Sequence, residues 1–120
     1  MISIKYLGSD LNINGKILSM QYEIRDAFIL GEKIIVLIDP NSYLGDPMYS
    51  KERRRGVNSF KNLFAISFDG EKLWEAEYPE KVDYFYKIIS REPLIVSSFS
   101  SFRCEINPKT GSILNQIFLK

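Results

Sequence analysis

Apolar and polar residues alternate with a period of two along most of this chain, the spacing that sends every second side chain to one face of a strand. The alternation predicts strands over 2–7, 10–14, 17–24, 26–31, 33–39, 62–68, 72–78, 84–90, 94–99, 101–107 and 112–119, and no convincing helix. Turn chemistry falls between them. Asn14-Gly15 and Asp69-Gly70 are strong hairpin signals, because both central positions of a tight primed turn need positive φ. Gly31-Glu32 and Glu92-Pro93 mark two further reversals.

One hairpin is written three times. An alternating strand, a polar turn ending in Gly and a Leu three residues later recur around Gly15/Leu18, Gly70/Leu73 and Gly111/Leu114. The Gly-to-Gly intervals are 55 and 41 residues (70 − 15 and 111 − 70), so the first carries 14 more than the second. A hairpin recurring at this interval predicts a sheet-repeat architecture, in which no unit buries its own faces alone. The units run over about 1–25, 26–80 and 81–120. The last two read as four-stranded antiparallel meanders, and the first lacks its two leading strands. Leu18, Leu73 and Leu114 are expected in equivalent buried positions between sheets, with the three Gly turns along one common edge.

The string "NLFAISFDGEKLWEAEYP" resembles the repeat of quinoprotein-like β-propellers, with Ala65, Gly70, Leu73 and Trp74 at matching places. The third copy is similar at Gly111 and Leu114 but has Asn115 in place of the Trp; the first has Gly15 and Leu18, with Ser19 there. The resemblance implies an all-β partial propeller of about three twisted antiparallel sheets, about two and a half blades, without quinone chemistry. It also implies that Trp74 packs between neighbouring sheets.

The extra residues of the first interval form an insertion over about 40–61, in the middle unit between its second and third strands. Pro40, Gly45, Pro47 and Gly56 break regular structure there. Tyr43, Met48, Tyr49 and Phe60 are more than a solvated loop requires, and a loop of this length in a compact domain is a place where function concentrates. The run Lys51-Glu52-Arg53-Arg54-Arg55 is the densest charge in the chain. Three adjacent arginines beside tyrosines can grip carboxylates on a protein or phosphates. The alternative reading of that run is a solvated loop tip.

Composition narrows the chemistry. The 120 residues hold no histidine, which removes the commonest general base and metal ligand. With 16 basic and 15 acidic residues, no overall field favours nucleic acid or a membrane surface. Cys104 is alone and alternates with Phe102 and Ile106, so it reads as a small buried apolar residue. The N-terminus has no signal-peptide pattern, and the longest apolar run, Ile34–Ile38, is too short to span a bilayer. A cytoplasmic location is the expectation. Glu75 and Glu77 share a strand face and read as an edge kept soluble by charge rather than as paired catalytic carboxylates. The Tyr84-Phe85-Tyr86 triplet suits a strand between two sheets, or one whose outer face meets a partner.

These features predict a non-enzymatic protein-binding module without cofactor, metal or catalytic residues. The general character is similar to that of immunity proteins that neutralise bacterial toxins, including those of contact-dependent growth inhibition. That resemblance implies a cognate toxin domain, possibly a nuclease, as partner, with the free protein a monomer or small homo-oligomer. Partner contacts are expected from Tyr43, Met48, Tyr49, Lys51, Arg53, Arg54 and Arg55. The alternative function is a scaffold fragment whose sheets assemble with another copy or chain.

Overall fold

The computed structural model describes residues 1–44, 61–80 and 83–119. Among these, eleven strands form three antiparallel sheets, and one short helix follows the fifth strand. The first sheet orders β1 (Ile4–Leu7), β2 (Asp10–Ile13) and β3 (Lys16–Ser19). The second orders β4 (Ile24–Leu30), β5 (Lys33–Ile38), β6 (Leu63–Ile66) and β7 (Lys72–Glu75). The third orders β8 (Phe85–Ser90), β9 (Ile95–Ser98), β10 (Phe102–Ile106) and β11 (Ile113–Phe118). Helix α1 (Pro40–Leu44) opens the insertion. The first sheet thus lacks one leading strand rather than two, because Ile4 pairs with Ile13 and Leu7 with Asp10 across a regular β1–β2 ladder. Strand 17–24 stops earlier than expected: the chain turns at Gln21, whose φ is 74°, to enter the second sheet.

Burial explains the difference between the middle sheet and its neighbours. Strand β5 is buried on both faces, because alternate residues feed two separate cores. Ile34, Val36, Ile38, Phe64 and Ile66 meet Leu11 and Ile13 of the first sheet. Ile35, Leu37, Leu63, Ala65 and Trp74 meet Phe85, Leu94, Val96, Cys104 and Ile106 of the third. Continuous apolar runs are what a strand covered on both sides requires, and alternation is what a strand covered on one side requires. The outer sheets follow the second rule. By register, Lys5, Asp10, Asn12 and Ser19 face away from the core in the first sheet. In the third sheet Lys87, Ser97, Arg103, Glu105 and Asn115 do the same. The outward faces are mixed, because the same register also exposes Leu7 and Ile17 on the first sheet and Ile117 on the third.

The three Gly hairpins sit side by side, and the contact between them repeats. A Cβ on Gly70 would meet the Leu18 side chain at 2.8 Å, and one on Gly111 would meet the Trp74 ring at 2.5 Å. Each of the two later Gly turns thus closes over a large apolar residue of the preceding hairpin. The equivalence is spatial and does not follow the count from Gly. Leu73 and Leu114 are 49% and 56% exposed, against the burial expected for them. The reason is a bulge in each later hairpin. Ile66 pairs with Lys72 and Ala65 with Trp74, while Ile106 pairs with Ile113 and Glu105 with Asn115, so Leu73 and Leu114 are the extra residues. The first hairpin has no bulge, and Leu18 pairs regularly with Leu11. Trp74 accordingly takes in the second hairpin the place that Leu18 takes in the first.

Candidate functional site

The insertion leaves the second sheet at Asp39 and returns at Lys61 and Asn62, so the fold first shows how its two roots are held. Asn62 is buried, and its side chain uses all of its hydrogen-bonding capacity. Its amide nitrogen donates to the carbonyls of Ile38 (3.1 Å) and Phe85 (2.5 Å). Its amide oxygen accepts from the Phe85 N–H (3.1 Å) and the Tyr78 hydroxyl (3.0 Å). The Tyr78 oxygen in turn accepts the Leu63 N–H at 3.0 Å. One side chain thereby ties β5 to the entrance of β8, and the second sheet to the third. Burial pushes the Tyr78 hydroxyl well above its ordinary range, so it stays a neutral donor, and its ring stacks on Phe85 at 4.6 Å.

The outgoing root is held from the other side. Asp39 accepts the Asn41 N–H at 2.9 Å, its carbonyl accepts the Ser42 hydroxyl at 2.8 Å, and its N–H bonds the Glu23 carbonyl at 2.8 Å. Arg25 reaches the Asp39 carboxylate at 3.8 Å and donates to the Tyr86 carbonyl at 2.7 Å. Around this end lie the exposed aromatics Tyr6, Tyr86 and Phe99, the last stacked on Tyr84 at 5.0 Å. Tyr6, Arg25 and Tyr86 line one depression together. Strand β8 lies at an edge of the third sheet, with Phe85 turned into the core and the outer-facing Tyr86 exposed.

A cleft of about 360 Å³ opens between the first and second sheets beside the returning root. Ile38, Phe64 and Ile66 line it with Met20 and Tyr22, and Gln21, Lys61, Lys72 and Glu75 supply its polar groups. Lys72 pairs with Glu75 at 3.1 Å and lies 4.9 Å from the centre of the Phe64 ring, while Lys61 lies 4.9 Å from that of Tyr78. An apolar floor with a charged rim suits one large side chain of a partner. Sequence reasoning missed this cleft and the Asn62 network. Their signal was an Asn directly before the wholly apolar run Leu63–Ile66, which a buried strand entrance can hold only when every polar atom is bonded.

The residues expected to bind a partner divide in two. Tyr43 lies in α1. Met48, Tyr49, Lys51, Arg53, Arg54 and Arg55 lie outside the described residues. The two glutamates have structural work. Glu75 pairs with Lys72, and Glu77 accepts the Ile113 N–H at 2.8 Å while its own N–H bonds the Gly111 carbonyl at 2.8 Å. Cys104 is fully buried, and burial, followed by the Asp83 and Glu77 charges, pushes its thiol up to about 11. Among the described residues no three His, Cys, Asp or Glu side chains gather as a metal-ligand set. Nor does any described helix have the length and apolar character to cross a membrane.

The geometry defines an all-β protein of three antiparallel sheets with an insertion rooted at one end. The chain belongs to the family described as Domain of unknown function (DUF7957), whose model matches residues 1–118. Its fold is similar to that of the computationally designed Ika8 protein, with a TM-score of 0.55 at 10% identity. That likeness covers 97% of this chain and 36% of the designed one, so this chain spans about a third of that length. No curated protein matches its sequence.

Proposed function

We propose that the protein is a non-enzymatic binding module whose insertion end seats a protein partner, and that this partner is a bacterial toxin domain neutralised in the cytoplasm. The observation that carries this reading is the investment in the insertion's roots. A fully bonded buried Asn62 and the Arg25–Asp39–Tyr86 bridge hold the two roots of a segment that the sequence repeat does not require. Exposed tyrosines, Phe99 and Arg25 surround those roots, the residue types that carry most energy in interfaces. A partial propeller is the finer description of the three-sheet stack. It fits the repeat of Gly turns over Leu18 and Trp74.

The face-to-face form of the scaffold reading, in which further sheets stack on this one, is less well supported. Beside the exposed Leu7, Ile17 and Ile117, stacking would also bury Lys5, Asp10, Lys87, Arg103 and Glu105, and buried charge is costly unless paired. The test of the binding reading is replacement of Arg53, Arg54 and Arg55 together by Ala. With the partner recovered from native lysate, calorimetry should show binding weakened at least about tenfold, the loss of one hot spot or more, with the melting temperature unchanged. Unchanged affinity would move the interface to Tyr6, Tyr86 and Phe99. Turnover of any substrate by the isolated protein would overturn the reading altogether.

A further inference from the structure

Among the described residues six strands lie at sheet edges, and five of them carry charge: Lys5 on β1, Lys16 on β3, Arg25 and Asp26 on β4, Lys72 and Glu75 on β7, and Lys87 on β8. Charge on an edge is the common device against unwanted pairing. Strand β11 has none. Its sequence is Ile-Leu-Asn-Gln-Ile-Phe, and Leu114, Ile117, Phe118 and the following Leu119 are all exposed, Ile117 by 54% and Phe118 by 57%. Beyond its bulge the ladder is regular, with Glu105↔Asn115 through Phe102↔Phe118 in continuous register.

The free side of this ladder can be read from its bonded side. The Leu119 N–H donates to the Ser101 carbonyl at 2.7 Å, which makes Leu119 an inward-bonding residue. Backbone polarity alternates along an antiparallel strand. Ile117 and Asn115 therefore also bond inward, and Gln116 and Phe118 turn their N–H and C=O groups away from β10. Residues facing each other across an antiparallel ladder lie on the same side of the sheet, so a twofold pair of identical strands must be centred on one residue. Centred on Ile117, the outward groups of Gln116 meet those of Phe118 in the second strand, and the reverse. Four backbone bonds form, and Ile117 faces its own copy on the side of the sheet away from the core. Asn115 meets Leu119, and the bulge at Leu114 is left outside the pairing.

We infer that β11 is the dimerisation edge of this protein, and that its occupant is β11 of a second copy of the same chain. Two uncharged edges meet without like-charge repulsion, and every contact is made twice by symmetry. The pairing joins the two third sheets edge to edge. It stands independently of the toxin reading.

Sedimentation of the wild-type protein over a range of concentrations tests it, together with Ile117→Glu, Ile117→Lys and their equimolar mixture. The wild type should move from one chain to two as concentration rises. Either variant alone sets like charges against each other on the axis and should raise the dissociation constant at least about tenfold. The mixture should dimerise again, because a carboxylate then faces an ammonium. Ile117 is exposed, so circular dichroism of both variants should match the wild type. A wild type that stays a single chain throughout, a dimer indifferent to either substitution, or a mixture no more dimeric than its components would each overturn the assignment.

Discussion

Replacing Trp74 by Ala should destabilise the fold by about 3–5 kcal/mol, the range for truncating a large aromatic in a core. Trp74 is 8% exposed and belongs to the core shared by the second and third sheets. Its indole N–H donates to the Pro108 carbonyl at 2.9 Å, so the truncation also leaves an acceptor in the next turn unpaired. Above its ring sits Gly111, which has a φ of 80° and room for no Cβ. The hole left by the indole would lie directly under a turn whose position the ring dictates. The Leu73→Ala variant provides the contrast. Adjacent in sequence and equally apolar, Leu73 is the bulge residue and half exposed, so its truncation should cost about 0.5 kcal/mol or less. Urea unfolding of both variants checks the pair. Equal midpoints would place Trp74 at the surface and dissolve the spatial equivalence of Leu18 and Trp74.

That contrast marks where the sequence was legible and where it was not. Period-two alternation located the strands of the outer sheets, because a strand half-covered by a neighbour must alternate. The unbroken run Ile34–Ile38 belonged to the one sheet covered on both sides. Trp74 was readable from its motif. Leu73 and Leu114 were not, since a bulge is invisible to spacing: it shifts the faces of a strand by one residue without changing any residue type. Tyr84-Phe85-Tyr86 left open whether the outer face of its strand is covered by a second sheet or free, because that depends on contacts remote in sequence; Tyr86 is exposed. The insertion could be recognised as surplus to the repeat. Its anchoring could not, because Asn62 bonds to Ile38 and Phe85, both more than twenty residues away.

Asn62 carries the second large effect. Asn62→Leu keeps the volume and removes all four side-chain bonds, leaving the Ile38 carbonyl, both backbone groups of Phe85 and the Tyr78 hydroxyl without this partner. A buried polar group left unsatisfied costs about 1–3 kcal/mol. With several orphaned together, a loss of about 3 kcal/mol or more is expected in chemical denaturation. Binding of the partner should fall with it, because Asn62 fixes the point at which the insertion returns. Tyr78 separates this network from simple packing. Its hydroxyl is held neutral by burial in the folded state, whereas in the unfolded chain it ionises near its ordinary value of about 10. The folded pKa lies above the unfolded one, so the contribution is complete below about pH 10 and is lost as pH rises beyond it. One such group steepens the alkaline fall in stability by up to about 1.4 kcal/mol per pH unit. Tyr78→Phe keeps the stacked ring on Phe85 and removes the proton. It should be less stable than wild type at pH 7, having lost its bonds to Asn62 and Leu63, and should show a shallower decline above pH 10. Parallel alkaline slopes for the two proteins would mean that the Tyr78 hydroxyl reaches water, and that the insertion's return is not sealed by this network.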